Sequence, residues 1–544
     1  MSKIKIFSLG GLNELGKNTY VVEVDEDIFI LDAGLKYAMD TMYGIDYIIP
    51  DYKYLVKNKN RIKGLFISHS HPENMGGTKD LLKNIPELKI YATKYSANIL
   101  KMEGINEKNI VEILPHKKID FKDISVFPIS VSHSTPDSVM YVINTKDGAV
   151  VYTGDFIIDP SMKEPYGVDL GKIAYVGKLG VLCLLSESVF SERKGFSSPN
   201  HRLVNFFQDT INRHNNRIMI TLLPSHLYTI QEIFNALVNS HRKVVIMGNK
   251  LQRIVKMAIE DGYLKVRPDL IGDLSNVKDP DAILLVCDDK EKPYQSISKI
   301  ISGNDKFIEF KETDTVIFAS PTYDSNEKTL VNLMDEIAMK GAHSINLPKD
   351  KEILHHASSE DLMLMLRLIS PKYYMPVKGE YRHQVENGDL AYSLGIPKEN
   401  ILLKQNGDVV TIENGKLIDD FEHIDVDDVL IDGLNNGDVG DLVVKDRELL
   451  SENGIVLISA TLSKKGKKVL YGPEVITRGF IYVKDSQEMI EDIKKISLEI
   501  IQSNVINNYI DYNKVKQEIR ENLSKFLYDE TESNPMIIAV IQEI

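Results

Sequence analysis

The segment GLFISHSHPENMGG places His69, His71, Glu73 and Asn74 just beyond an apolar, strand-like run. Two histidines at i and i+2 past a strand end can turn both imidazoles toward one point. Neutral imidazole suits zinc, and a nearby carboxylate adds a hard anionic ligand. Three other segments put polar residues in comparable places. FILDAGL carries Asp32, SVSHSTPDS carries His133, and VVYTGDF carries Asp155, each after an apolar run. Taken singly, each reads as readily as a capping aspartate or a core histidine. Together they form a set at strand ends along one edge, where α/β sheets build their sites. Metal-assisted chemistry is what such a set supports. The glycines Gly10, Gly11 and Gly16 of GGLNELG superficially suggest a phosphate loop, but a strand (NTYVVEV) follows rather than a helix. They read as a tight turn between two strands.

The elements that must position these residues are legible in outline. KIKIFSL, NTYVVEV, DIFILDA, GLFIS, ISVFPISV, MYVINT and AVVYT read as strands, with helical stretches such as GTKDLLKNI and YSANILKM between them. An α/β sandwich fits the first 200 residues or so. From about 200 to 350 the texture becomes helix–strand alternation. SSPNHRLVNFFQDTINRH predicts a capped helix, and RIMITLL, KVVIMG, AILLVC and DTVIFAS predict strands of a mostly parallel sheet. The helix EDLMLMLRLI and the strand YYMPV follow. An acidic, Gly/Asn-containing stretch over 426–449 reads as a linker, and 450–544 as a small α+β domain that opens with a hairpin around KKGK and includes the strand GFIYV.

Bulk properties narrow the class. The chain has 544 residues, enough for several domains, with 43% hydrophobic and 26% charged residues, the balance of a soluble globular protein. No apolar run reaches bilayer-spanning length, and the N-terminus has no signal-type apolar core. Cys183 and Cys287 each sit alone in apolar runs and read as buried thiols, which suits a reducing, cytoplasmic setting. The net charge of −14 argues against indiscriminate nucleic-acid binding but leaves room for a locally positive cleft. Two basic clusters, Lys57, Lys59, Arg61 and Lys63, and Lys464, Lys465, Lys467 and Lys468, read as solvated surface.

The segments GGLNELGKNTYVVEV, LDAGLKYA, GIDYIIPDYKYL, SHSTPDS, YTGDF, PKYYMPVKGEYR and GPEVITRGFIYV resemble the ribonuclease J family, of the β-CASP branch of the metallo-β-lactamase fold. The resemblance runs over essentially the whole chain. It implies an α/β fold: a metallo-β-lactamase αββα sandwich split over 1–200 and 351–425, a β-CASP α/β domain inserted at 201–350, and a C-terminal α+β domain that aids dimerisation.

It also implies two zinc ions about 3.5–4 Å apart that hydrolyse RNA phosphodiesters. Matched position by position, the family's His-x-His-x-Asp-His motif is here His69, His71, Glu73 and Asn74; its third histidine is His133 and its bridging aspartate Asp155. The first metal therefore keeps its ligands. The second does not: Glu73 is a methylene longer than the family's aspartate, Asn74 replaces a histidine, and Lys378 stands where another histidine ligand belongs. One zinc is expected, with the Lys378 ammonium near the other ion's place. Asp32, Asp155 and Glu187 match catalytic positions. The family's phosphate-holding His-x-Ser-Gly-His segment is here Glu352, Ile353, Leu354, His355 and His356, so His356 and Ser358 are what remains to hold RNA phosphate.

The family's activities are 5′-to-3′ exonuclease and endonuclease, acting in RNA processing and mRNA decay. With these departures the chain resembles the weakly active second member that some low-GC bacteria carry. RNA is the expected partner, with a homodimer, a homotetramer or a heteromer with an active family member, and no membrane. The competing expectation is a non-catalytic RNA-binding subunit of an active ribonuclease J.

Overall fold

In the N-terminal strands residues alternate between two faces, and both faces are buried. In Lys3–Gly10, Ile4 and Ile6 point one way, while Phe7 points the other and meets Tyr54 edge-on at 5.1 Å. The computed structural model describes residues 2–38, 42, 44–287, 294–320, 326–351, 355–418, 421–432, 441–480 and 487–544. The chain divides into two compact units, 1–37 with 48–428, and 38–47 with 429–544.

In the first unit two sheets face one another. One runs Lys416–Leu417, Asp408–Glu413, Lys3–Gly10, Thr19–Val24, Asp27–Leu31, Ile62–Phe66, Ile90–Thr93, Ile110–Ile113. The other runs Tyr373–Pro376, Val181–Ser186, Gly148–Tyr152, Val139–Thr145, Ile124–Ser130, Ile119–Phe121. Tyr20, Val22, Phe29, Leu31 and Phe66 of the first meet Val126, Tyr141, Ile143, Tyr152, Leu185 and Met375 of the second. The second sheet's far face, including Met140, Val142, Val151, Leu184 and Tyr374, is covered by Ile173 and Val176 of Leu170–Leu179 and by Leu362, Met365, Leu366 and Ile369 of Ser359–Ile369. The helix Lys94–Met102 packs on the first sheet at Ile90–Thr93 and Ile110–Ile113. This is the expected αββα sandwich. It is completed late in the chain, where Tyr373–Pro376 joins Val181–Ser186 in parallel and Asp408–Glu413 joins Lys3–Gly10 antiparallel.

Between these halves lies a five-stranded sheet ordered Val244–Met247, Ile283–Val286, Ile218–Thr221, Thr315–Phe318, His343–Asn346, every pairing parallel, with helices between. At its base Arg217 clamps Asp314 with two hydrogen bonds, 2.9 and 2.7 Å, both side chains buried. The helix expected to start near Ser197 starts later, at Val204. Ser197 is drawn elsewhere: its hydroxyl donates to the His356 carbonyl at 2.7 Å, and its N–H to Asp361 at 2.9 Å.

In the second unit the hairpin Ile455–Leu462 with Val469–Arg478 is extended by Met536–Glu543, parallel to the first strand. Helices Gln487–Ser503 and Tyr512–Thr531 close its core through Ile493, Ile501, Val515, Ile519, Leu523 and Leu527. The stretch read as a linker holds a strand, Asp428–Ile431, and a helix, Asp441–Asn453, with 433–440 outside the described residues. GFIYV also falls partly outside them. Among the described residues no helix is long and apolar enough to cross a membrane, and Cys183 and Cys287 are buried and form no disulfide. The cluster around Lys57–Lys63 is partly neutralised, Arg61 by Glu23 at 2.9 Å and Lys63 by Asp27 at 2.9 Å.

Candidate metal centre

Six strands end at one edge of the sandwich, and each delivers a polar residue within a few positions of its C-terminus. Asp27–Leu31 leads to Asp32, Ile62–Phe66 to His69, Ile124–Ser130 to His133, Gly148–Tyr152 to Asp155, Val181–Ser186 to Glu187, and Tyr373–Pro376 to Lys378. His69, His71, His133 and Asp155 bring one ligand atom each within 4.8 Å of one another, all four residues buried.

The outward nitrogen of each ring is engaged by a neighbour. His133 Nδ1 lies 2.9 Å from the carbonyl of His355, an acceptor only, so Nδ1 carries the proton. Nε2 is then the lone-pair nitrogen, 3.2 Å from Nδ1 of His71. His71 has its Nε2 against the Ser134 hydroxyl at 3.1 Å, leaving Nδ1 inward. His69 Nδ1 lies 2.9 Å from the Ser68 hydroxyl, which itself donates to Asp32 at 2.7 Å and so accepts from the ring. His69 Nε2, 3.3 Å from Asp155, is left inward without a hydrogen-bond partner, as is Asp155 Oδ1. Three inward ring nitrogens and a carboxylate oxygen converge on one point, with the outer ring nitrogens held by neighbours, a set that could hold a metal ion. Burial, reinforced by the neighbouring histidines, depresses His71 and His133 well below the ordinary imidazole range, so both are neutral and able to ligate. Burial would raise Asp155, but Lys378 and His69 outweigh it and hold Asp155 well below the usual carboxylate range.

Asp32 does not face this point. Fully buried, with its backbone at φ +60°, it accepts from the Ser68 N–H and hydroxyl, from Asn74 Nδ2 and from the Tyr152 hydroxyl, all at 2.7 Å. It therefore acts through Ser68 on His69. Asn74 is turned away from the centre as well, its amide giving to Asp32 and accepting from Asn18 at 3.3 Å.

The residues around a second ion do not fit one. Lys378 is buried, its ammonium bonded to Asp155 and 3.9 Å from Glu73 Oε1. Burial would lower it, but Asp155, Glu73 and Glu187 outweigh that and raise it above the ordinary lysine value.

Beside the centre, His356 Nδ1 lies 2.7 Å from Glu187 Oε2 and 3.9 Å from Asp155. Glu187 also accepts the N–H of Phe156 at 2.7 Å. Ser358, named from the sequence as a phosphate contact, is instead the buried first cap of Ser359–Ile369, its hydroxyl 3.0 Å from that of Ser197. Glu352, Ile353 and Leu354 lie outside the described residues.

Sequence reasoning missed Ser68, Ser134 and His226, and the part His355 plays through its carbonyl on His133. The serines carried a signal, since they flank ligands in Ser68–His69 and His133–Ser134. His226 carried none. It arrives from the inserted domain at the start of Leu227–Ala236 and stacks on His71, centroids 5.0 Å apart and planes 18° apart, while Tyr228 N–H bonds the Ser134 carbonyl at 3.0 Å. Burial, with His356 and His69, pushes His226 down to about 3.

A strand-edge His/Asp centre on an αββα sandwich, roofed by a parallel α/β insertion, defines a metallo-β-lactamase-fold protein of the β-CASP type. Residues 12–174 match the metallo-beta-lactamase superfamily, 215–337 the ribonuclease J beta-CASP domain and 442–544 the ribonuclease J C-terminal domain. Two curated relatives named Ribonuclease J 2, from Staphylococcus epidermidis and Staphylococcus aureus, are each 33% identical over 99% of this chain and 98% of their own length. The chain belongs to the ribonuclease J family. In fold alone it is also similar to a crystal structure of a protein of unknown function from Enterococcus faecalis V583, with TM-score 0.53 and 17% identity over 75% of this chain and 100% of that one.

Proposed function

We propose that the chain is a metal-dependent ribonuclease that works with one zinc ion, held by His69, His71, His133 and Asp155. The observation that carries this reading is the orientation of the three imidazoles, each with its outer nitrogen engaged and its other nitrogen turned inward. When bound, the ion supplies a hydroxide at neutral pH and polarises a phosphoryl oxygen. Asp155 neutralises charge at the centre. Asp32 and Ser68 fix the ring of His69. His356, held through Nδ1 by Glu187, presents Nε2 as the proton donor to the leaving oxygen. Because Ser358 is taken up as a helix cap, phosphate contact near this segment falls to His356. The sandwich 1–200 with 351–425 carries the chemistry, the insertion 201–350 covers it, and the C-terminal domain pairs copies of the chain or joins it to an active family member.

The test uses the purified full chain with 5′-monophosphorylated RNA and zinc, magnesium or manganese in turn. Turnover that disappears in His71→Ala supports the reading. A second reading is favoured by the degraded second subsite at Asn74 and Lys378: an RNA-binding subunit that does not cleave. Absence of turnover alone, together with stimulation of an active relative, selects it.

A further inference from the structure

We infer that the Lys378 ammonium stands in for a second cation, so that the centre takes one ion at most and holds its carboxylates together without a second. This deepens the one-ion reading above, but rests on geometry that does not depend on RNA cleavage.

Lys378 is placed by the fold. Val377 N–H bonds the Ser186 carbonyl at 2.8 Å, continuing the parallel pairing of Tyr373–Pro376 with Val181–Ser186, and Lys378 N–H bonds the Gly11 carbonyl at 3.0 Å. Its backbone sits at φ +56°, next to Gly379 at +100°, which turns the chain sharply as it leaves the sheet. The side chain is 5% exposed. Its ammonium bonds Asp155 Oδ2, the oxygen that also lies 3.3 Å from His69, 4.0 Å from His133 and 3.9 Å from His356. One oxygen of Asp155, Oδ2, thus gathers three imidazoles and the ammonium, while Oδ1 is left without a hydrogen-bond partner. Glu73, 3.9 Å from the same ammonium, completes the group.

Neither of the other routes to a second ion is open. Asn74 has both ends of its amide engaged by Asp32 and Asn18. The triad Asp155, Glu187 and His356 has its ligand atoms close enough for an ion. However, His356 Nδ1 sits on Glu187 Oε2 at 2.7 Å, and the Lys378 ammonium sits on Asp155.

The test measures zinc bound per chain after loading and desalting, and thermal unfolding with zinc or chelator, on the full chain and on Lys378→His and Lys378→Met, with circular dichroism to confirm folding. The wild type is expected to hold one zinc and never two. Lys378→His is expected to gain one more, because an imidazole lone pair replaces the ammonium. Lys378→Met leaves Asp155 and Glu73 without their cation. Its melt should fall in chelator and recover with zinc by more than the wild type's does. Two zinc ions on the wild type overturn the inference, as does a folded Lys378→His that binds no more zinc than the wild type. Should Lys378→His fail to fold, the wild-type count and the Lys378→Met melts decide. A chain that binds one zinc in this pattern but cleaves no RNA rejects the enzymatic reading and leaves the inference standing.

Discussion

At the scale of single residues, the centre depends on groups that never reach the metal. Ser68 is the clearest. Its hydroxyl accepts from His69 and donates to Asp32, so one oxygen fixes both a ligand's tautomer and a buried carboxylate. Ser68→Ala is expected to weaken zinc binding about 10–100-fold, the usual effect of removing a ligand's outer partner, with little change in circular dichroism. A zinc titration checks it, and unchanged affinity would mean that His69 is held by packing alone. Farther from the metal, Asp159 makes a separate pH prediction. Burial would raise it, but Arg202 at 2.7 Å and Ser161 outweigh that and bring it down to about 2. A carboxyl depressed in the fold stabilises above its unfolded value of about 4, and loses that contribution as pH falls through about 2. Asp159→Asn should therefore cost on the order of 1 kcal/mol at neutral pH, since the exposed Arg202 end of the pair is screened by solvent. The gap between variant and wild-type melting temperatures should narrow steadily as pH is taken below about 4.

At the scale of elements, the strand ends are aligned by backbone zippering between distant segments. Ala33, Gly34 and Leu35 lie against the turn that carries Glu73 and Asn74: Ala33 N–H bonds the Asn74 carbonyl at 2.7 Å and Leu35 N–H the Pro72 carbonyl at 3.0 Å. A Cβ on Gly34 would sit 1.7 Å from the Glu73 carbonyl oxygen, which no side chain can tolerate. Gly34→Ala should push this turn outward, cost about 1–3 kcal/mol or more, and move Glu73 away from Lys378. A melting temperature equal to wild type would contradict it. This contact also marks where the sequence stopped being readable. The strand ends at Asp32, His69, His133 and Asp155 were legible, because apolar alternation fixes the strands and strands fix their ends. The direction of Asn74 was not, since it is set by Asp32, Asn18 and Tyr152, which lie far from it in sequence. His226 was hidden for the same reason, reaching His71 from a different domain of the fold. The start of the helix at Val204 was misread because Ser197, a natural cap, is taken by Asp361 and His356, more than 150 residues further along the chain.

At the scale of the whole molecule, the chain carries separate cores. The core of the second unit consists of residues from Val456 to Ile537, and that of the sandwich of residues from Ile4 to Ile412, with none in common. Cores that share no side chains need not melt together, so heating should give more than one transition. The candidate zinc ligands all belong to the first unit. A ligand that binds only a folded site stabilises the body that contains the site, by RT ln(1 + [L]/Kd), or about 2.7 kcal/mol at a hundredfold excess over Kd. Zinc should accordingly raise the transition of the first unit and leave that of the second in place, and a chelator should reverse it. His71→Ala should abolish the shift without moving the other transition. Differential scanning calorimetry with and without zinc separates the outcomes. If both transitions rise together, the second unit's stability is tied to the metal centre and the two units do not unfold independently. If neither rises, His69, His71, His133 and Asp155 do not hold an ion with useful affinity, and the inward-turned imidazoles are only a buried hydrogen-bonded cluster.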